Sequence, residues 1–201
     1  DEIYQTLEPA HRLIFGYGRV KWEYHEGLRS WVFPGILGAV MWIGQFFGEG
    51  SKGYIGATTV FLTVVSLIPS VVTYLWARRQ WEDGWWPVVA MVFPLVWFES
   101  VYFGPKSLYE VFTGHIVVAG VVLVRFADDR WVRPFLGGIL IGVSVIARAH
   151  LAPVPVMLAC FIPLYAKRPH AIFSALAGGV GTGVAVAGLV DVIAYGVPFH
   201  S

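Results

Sequence analysis

Charged side chains are scarce in this sequence. Only 13% of its 201 residues are Asp, Glu, Lys or Arg, whereas 57% are hydrophobic, and a soluble globular domain usually carries about twice that charged fraction. The mean hydropathy is +0.66. Trp, Tyr and Phe together make up 16% of the chain, and such residues form belts at membrane interfaces. The composition excludes an ordinary soluble domain and predicts an all-α fold, a polytopic integral membrane helical bundle.

Three further absences exclude other classes of site. The formal net charge is only +1, so there is no electrostatic case for binding nucleic acid. Cys160 is the single cysteine, which excludes an internal disulfide and a Cys-based zinc site; because it lies in an apolar run, we expect a small core residue. No two of the six His stand four residues apart on one helix with an acid, so no metal site is predicted.

Long apolar runs define the organisation of the chain. Residues 1–30 hold the densest charge and form one predicted domain, a first external loop bearing a short amphipathic helix. Residues 31–201 form the predicted transmembrane region, because a spanning helix needs about 20 apolar residues. The segment 135–165 is too long for one helix and is expected to break near Pro153 and Pro155, which each remove a backbone donor. Predicted spans lie near 54–76, 85–103, 108–124, 135–149, 151–165 and 171–195.

The orientation follows from the loops richest in Arg and Lys, which are residues 77–80, 125–134 and 166–170. The positive-inside rule places these loops on the cytoplasmic side. The segment 31–47 then decides the side of the first domain, which is cytoplasmic if the segment spans and external if the segment is re-entrant or interfacial. Its short length, with Pro34 and three glycines, favours the external placement.

Ionisable groups within or beside the apolar runs are the first functional candidates, because a charge at membrane depth costs a few kcal/mol. In the derived orientation all of them except His115 lie near external helix ends. Structural pairing at helix ends is the alternative for each one. The candidates are Glu99, Glu110, His115, Arg148, His150 and Asp191.

Two local patterns predict helices. Ile3, Leu7, Ala10 and Ile14 recur at helical spacing along one face, which predicts an amphipathic helix over 3–15 that Thr6 or Gln5 helps to cap and that residues 16–18 end. The stretch "GGVGTGVAVAG" at 178–188 has small residues four apart. It lacks the Lys of a phosphate-binding loop, so it predicts close helix packing in lipid.

The first 34 residues, "DEIYQTLEPAHRLIFGYGRVKWEYHEGLRSWVFP", also carry a family pattern. They resemble the first external loop of the glycosylphosphatidylinositol (GPI) and asparagine-linked-glycan mannosyltransferases, glycosyltransferase family 22. Lys21 stands for the usual Thr and Tyr24 for the usual Trp. The family's His-Pro before the acids is absent, so we expect a fragment of a longer protein. The matching residues are Asp1, Glu2, Gln5, Leu7, Glu8, His11, Gly18, Trp22, Glu23, Arg29, Ser30 and Pro34.

Later parts of the chain match the same family more thinly. The stretch "FGPKSLYEVF" resembles its Arg-Thr-Leu-x-Asn segment, with Lys106 in the Arg place, Ser107 in the Thr place and Glu110 in the Asn place. Arg148 matches an Arg at the end of a later helix. Asp191 matches an Asp that is followed by Tyr-Gly near the external side.

The resemblance implies a C-type glycosyltransferase fold with its active site outside the membrane, beside the first external loop. It also implies a role in glycolipid biosynthesis: inverting transfer of a sugar, typically mannose, from a polyprenyl-phosphate donor to a lipid-linked glycan acceptor, without cofactor or metal. The partners are then these two lipids and the surrounding membrane.

Family chemistry assigns roles to the matched residues. A carboxylate must take the proton of the attacking hydroxyl, and we expect Asp1 to be this base, with Glu2 second. Lys106 and Arg148 are expected to bind the donor phosphate. The expected acceptor-binding or orienting residues are Glu8, His11, Trp22, Glu23, Arg29 and Asp191; for Glu8 and His11, local capping or pairing is an equal alternative.

Two other functions and two locations stay open at this point. A transporter or channel subunit would use the intramembrane charges and the broken helix as a substrate path, and an inactive scaffold would keep the fold alone. Richness in Gly, Ala, Val and Trp favours a bacterial protein, which predicts a plasma-membrane location with a periplasm-facing site. The alternative is the endoplasmic reticulum membrane with a lumen-facing site.

Overall fold

The computed structural model describes residues 3–48, 50–81, 84–126 and 131–197. Every regular element in these ranges is helical and none is a strand, which confirms the predicted all-α class. The chain divides into two compact units. The first comprises Asp1–His25 and Phe33–His115, and the second comprises Glu26–Val32 and Ile116–Ser201.

The first unit begins with the predicted N-terminal helix. A π-helical turn, Ile3–Leu7, leads directly into α1, Glu8–Phe15. Gly16 ends α1 in the left-handed conformation, at φ +78°, and its N–H bonds to the carbonyl oxygen of Arg12. Glycine reaches this conformation without a steric penalty, so the predicted helix end is confirmed.

Further helices follow among the described residues of this unit, and the last of them, α8, extends beyond it. Pro69, near the start of α5, cannot donate to the carbonyl of Val65, so α4 and α5 meet at an interruption centred on Leu67. The helices are α2 Trp22–His25, α3 Val32–Gly44, α4 Ser51–Ser66, α5 Ile68–Gln80, α6 Trp86–Val96, α7 Phe98–Phe103 and α8 Tyr109–Arg125.

The run 85–103 was expected to form one helix, and the structure interrupts it. Trp97 is extended, at φ −63° and ψ 128°, and separates α6 from α7. Pro94 lies inside α6 and lacks the N–H that would bond to the carbonyl of Ala90, which weakens the last turn of the helix.

The core of the first unit lies where α3 meets α8. The Phe33 ring stacks on Phe112 with a centroid distance of 4.4 Å and meets Tyr109 edge-on at 4.9 Å. A Cβ at Gly38 would come within 3.4 Å of the Ala10 carbonyl oxygen, so α3 also packs closely on α1. These contacts join the N-terminal helix to the helices that follow it.

The described residues of the second unit form the last turns of α8 and three more helices. They are α9 Val132–Ala147, α10 Pro153–Tyr165 and α11 Pro169–Tyr195, with a 3-10 turn at Ala149–Leu151. Arg148 is extended, at φ −149° and ψ 97°. The predicted break in the long apolar run 135–165 is therefore confirmed.

Helices α9 and α11 pack at glycine positions on both sides of their contact. A Cβ at Gly179 would lie 2.1 Å from the Phe135 carbonyl oxygen, and one at Gly142 would lie 2.4 Å from that of Val180. A real Cβ does not fit at such distances, so only glycine permits this approach. The predicted packing role of the small-residue stretch at 178–188 is confirmed.

Within the part of the chain that the structure describes, two helical segments are long and apolar enough to cross a membrane, Ser51–Gln80 and Pro169–Tyr195. Other apolar helices, such as Trp86–Val96 and Val132–Ala147, are shorter. Large apolar side chains are nevertheless left uncovered on the helix surfaces, including Val60 at 64% and Ile193 at 86% exposure. Exposed apolar side chains of this kind mark surfaces that contact lipid or another protein.

The expectation that Cys160 is a core residue is wrong, since it lies on the exposed face of α10. In a soluble protein an apolar sequence context implies burial. Lipid tails are as apolar as a protein core, so the context of a lipid-facing residue carries no such implication.

Candidate functional site

The N-terminal segment is fastened to the turn before α8 by a buried threonine. Thr6 Oγ1 donates to the Ser107 carbonyl oxygen at 2.7 Å and lies 2.9 Å from Ser107 Oγ. Thr6 and Ser107 are each only 1% exposed. The expected capping by Thr6 or Gln5 is wrong, because α1 has no side-chain cap and the Thr6 hydroxyl is engaged by Ser107 instead.

A second contact fixes the same segment. The Tyr24 hydroxyl donates to the Gln5 carbonyl oxygen and lies 3.4 Å from the Tyr109 hydroxyl. Tyr24 and Tyr109 are 1% and 3% exposed. Buried hydrogen bonds between distant parts of a chain define position well, because breaking one leaves a desolvated polar group. We call Thr6, Tyr24, Ser107 and Tyr109 the loop clamp.

The clamp holds the N-terminal segment beside a lysine. Lys106 immediately precedes Ser107, is half-buried, and its ammonium lies 3.8 Å from the centroid of the Tyr102 ring. A cation over an aromatic face is stabilised by the ring quadrupole. The cation predicted to bind phosphate is thus held next to the clamp.

The predicted bases, Asp1 and Glu2, lie outside the described residues.

Glu8 and His11 make local contacts, one of the alternatives left open by the sequence. A Glu8 carboxylate oxygen accepts the Arg19 backbone N–H at 2.9 Å. His11 Nδ1 lies 3.1 Å from the Tyr17 carbonyl oxygen, and its ring packs 5.4 Å from that of Tyr54. These contacts close the loop that follows α1.

The two other predicted orienting residues of the first unit lie on α2. Trp22 is 64% exposed, and Glu23 is half-buried. The exposed indole makes Trp22 the more accessible of the two for a ligand.

The second unit holds the remaining predicted residues. The Tyr195 hydroxyl donates to the Arg29 carbonyl oxygen at 3.1 Å and hydrogen-bonds the Trp31 side chain. Asp191, one helical turn before Tyr195, is 0% exposed. Arg148 is half-buried at the C-terminus of α9. The segment around Arg29 is thereby joined to the end of α11.

No arrangement for a metal ion is found among the described residues. Within 3–48, 50–81, 84–126 and 131–197, no group of three or more His, Cys, Asp or Glu side chains is placed to hold one.

Comparison with known proteins decides the family. The family model described as "Alg9-like mannosyltransferase family" matches residues 1–200. The chain belongs to this family. No solved structure matches the chain.

The similar proteins include three from two yeasts and a mammal. A stretch of 142 residues, 65% of the chain, is 29% identical to "GPI mannosyltransferase 3" of Kluyveromyces lactis and covers 22% of that protein. Over 39 residues, 19% of the chain and 8% of the relative, identity to the Yarrowia lipolytica protein of the same name is 62%. Over 51 residues, which are 25% of the chain and 9% of the relative, the identity to "GPI alpha-1,2-mannosyltransferase 3" of Bos taurus is 41%. The first match thus spans about a fifth of its relative's length.

The predicted bacterial plasma-membrane location is wrong. The similar proteins come from eukaryotes, namely yeasts, an insect and a mammal. Abundant Gly, Ala, Val and Trp reflects adaptation to lipid, which bacterial and eukaryotic membrane helices share, so composition could not identify the source.

The sequence did not single out the tyrosines of the clamp. Ser107 carried a weak signal, since it falls in the Thr place of the family segment beside Lys106. Tyr24 was noted only as a departure from the usual Trp. Its hydroxyl donates to the Gln5 carbonyl oxygen, and a Trp carries no hydroxyl.

We predict that Thr6→Val loosens the N-terminal segment. Valine preserves the shape but removes the hydroxyl that donates to the buried Ser107 carbonyl, at a cost of about 1–3 kcal/mol. Hydrogen exchange of residues 3–15 should accelerate, while α9 and α11 keep their protection.

The matched control is Thr58→Val. Thr58 is also buried, at 3% exposure, but its hydroxyl bonds to the Tyr54 carbonyl within its own helix. Equal acceleration in both variants would contradict a fastening role for Thr6.

Proposed function

We propose that the full-length protein is a membrane-embedded, inverting mannosyltransferase. It moves a mannosyl group from a polyprenyl-phosphate donor to a lipid-linked glycan acceptor. Membership of the Alg9-like family supports the transferase over the transporter and scaffold alternatives. The observation that carries the proposal is the clamp, in which Thr6 is hydrogen-bonded to Ser107, the residue that follows Lys106.

The names of the similar proteins suggest the acceptor. They are GPI mannosyltransferases, and the Bos taurus relative is named for an α-1,2 linkage. We propose a GPI glycolipid acceptor and the endoplasmic reticulum membrane, with the site facing the lumen. Exposed apolar surface on α4 and α11 supports a lipid environment, and we propose a polytopic bundle of C-type glycosyltransferase fold.

In the proposed reaction the acceptor hydroxyl attacks the anomeric carbon as the bond from that carbon to the phosphate oxygen breaks. Asp1 removes the hydroxyl proton, which makes the oxygen a stronger nucleophile as the new bond forms. Glu2 is adjacent, and it points about 100° away if the two lie on a helix. Attack opposite the leaving group inverts the anomeric centre.

The leaving polyprenyl phosphate gains negative charge as the bond breaks. A fixed cation beside it lowers the energy of the transition state more than that of the ground state. Lys106, oriented by the Tyr102 ring, supplies this charge in the proposal. Arg148 is the second proposed phosphate ligand, and a guanidinium suits a two-point grip.

Substitution of Lys106 tests this assignment. Lys106→Met should lower kcat/KM for the polyprenyl-phosphate mannose donor by about 10²-fold or more, because a charge at the leaving group is lost. Lys106→Arg should retain part of the activity, since it keeps the charge. Transfer is measured with the full-length protein in detergent.

Lys52→Met is the matched control. Lys52 is exposed at the start of α4 and has no role in the proposed chemistry, so this variant should behave as wild type. Unchanged kcat/KM in Lys106→Met would remove Lys106 from the site.

A further inference from the structure

A cleft beside α7 and α8 gathers ionisable groups that the proposed chemistry does not use. Its volume is about 430 Å³, and Trp97, Glu99, Phe103, Glu110 and His115 are among its lining residues. Clefts of about 300–1,000 Å³ are typical of small-molecule sites. All of these residues belong to the first unit.

Trp97, at the break between α6 and α7, contributes an aromatic side chain to the lining of this cleft. Trp97 is extended between α6 and α7, and its side chain is 50% exposed. The Trp97 indole N–H lies 3.4 Å from a Glu99 carboxylate oxygen, within reach of a weak hydrogen bond that favours one orientation of the carboxylate. The flat apolar face of the Trp97 indole and the Glu99 carboxylate therefore lie side by side.

Glu110 and His115 add further polar groups to the lining of the cleft. Glu110 is exposed at the start of α8, and its carboxylate is a hydrogen-bond acceptor. His115, about one turn further along, both donates and accepts through its two ring nitrogens. A ligand rich in hydroxyl donors, with one apolar face, matches this lining.

The cleft adjoins the proposed phosphate-binding residue. Phe103 lines the cleft, and the Lys106 ammonium lies 5.9 Å from the centroid of the Phe103 ring. A phosphate held by Lys106 would therefore lie near a ring that lines the cleft. The 5.9 Å between the Lys106 ammonium and the centroid of the Phe103 ring is within the length of a sugar phosphate.

We propose that the cleft formed by Trp97, Glu99, Glu110 and His115 is a binding subsite for a neutral, polyhydroxylated sugar ring. This inference rests on the proposed transferase function. The ring stacks on the Trp97 indole, and its hydroxyls donate to Glu99 and Glu110. The ring belongs either to the donor mannose or to the acceptor glycan.

Steady-state kinetics of the full-length protein distinguishes these two sources. Trp97→Ala should raise the KM for one substrate by about tenfold, with kcat within about threefold of wild type, because stacking is lost in bound and transition states alike. A rise in the donor KM identifies the donor mannose, and a rise in the acceptor KM identifies the acceptor glycan. Trp97→Phe keeps an aromatic face and should restore most of the affinity.

Trp86→Ala is the matched control, since Trp86 is 53% exposed at the start of α6 and does not line the cleft. It should leave both KM values unchanged. Equal kinetics in the Trp97 and Trp86 alanine variants would overturn the subsite, as would a fall in kcat with both KM values unchanged.

A binding measurement separates this inference from the transferase proposal. Saturation-transfer NMR with methyl α-D-mannopyranoside should show a signal with wild type and Trp86→Ala and lose it with Trp97→Ala. Absence of transfer with this NMR pattern intact would refute the transferase alone. Transfer by wild type, with an equal NMR signal in all three proteins, would refute the subsite alone.

Discussion

Asp1→Asn abolishes mannosyl transfer in the full-length protein if the proposed mechanism holds. The amide has the shape of the carboxylate but cannot accept the proton of the acceptor hydroxyl. General-base catalysis contributes about 10²–10⁴-fold, so we expect turnover to fall by at least that factor. The measurement is the rate of transfer, with yield and melting temperature recorded to establish that the variant is folded.

Glu2→Gln is the paired control for this experiment. The two acids are adjacent, so both variants lose one negative charge at nearly the same place. Glu2→Gln should keep most of the activity. Retained turnover in Asp1→Asn would remove Asp1 as the base, and loss in Glu2→Gln alone would transfer that role to Glu2.

Gly179→Ala should produce the largest effect on stability. The added Cβ would lie 2.1 Å from the Phe135 carbonyl oxygen, and a backbone oxygen cannot move without displacing α9. Overpacking of this kind costs about 1–3 kcal/mol, and more when backbones must separate. We expect a clearly lower melting temperature for the full-length protein in detergent.

Gly181→Ala provides the comparison within the same helix. A Cβ at Gly181 meets nothing within 4 Å, and alanine favours helix by about 1 kcal/mol over glycine. This variant should melt at or above the wild-type temperature. If both variants lose the same stability, the close approach of α9 and α11 is not what the glycines provide.

Much of the fold was predictable because its causes are local. Apolar runs define helices in lipid, Pro153 and Pro155 mark the break after Arg148, and small residues four apart mark the α9–α11 contact. The interruption at Trp97 was missed although Pro94 stands three residues before it. Proline inside a membrane helix is often tolerated, so its presence alone does not decide whether a helix breaks.

Part of the candidate site could likewise be predicted from the sequence, and part could not. The family pattern identified Lys106 and the N-terminal acids, since these are short stretches of sequence. The clamp could not be predicted, because Thr6 and Ser107 are 101 residues apart. Nothing in the local sequence distinguishes either residue from a Ser or Thr whose hydroxyl bonds within its own helix. Their pairing arises only when α1, α3 and α8 pack together.

Transfer from a lipid-phosphate sugar is the central step of the proposed function, and one assay tests it directly. The full-length protein is incubated with a GPI glycolipid acceptor and, in parallel, with polyprenyl-phosphate mannose, polyprenyl-phosphate glucose or GDP-mannose, and products are read by mass. We predict that the acceptor gains one hexose with polyprenyl-phosphate mannose and none with GDP-mannose. Transfer from GDP-mannose, or no transfer from any lipid-phosphate sugar, would contradict the account.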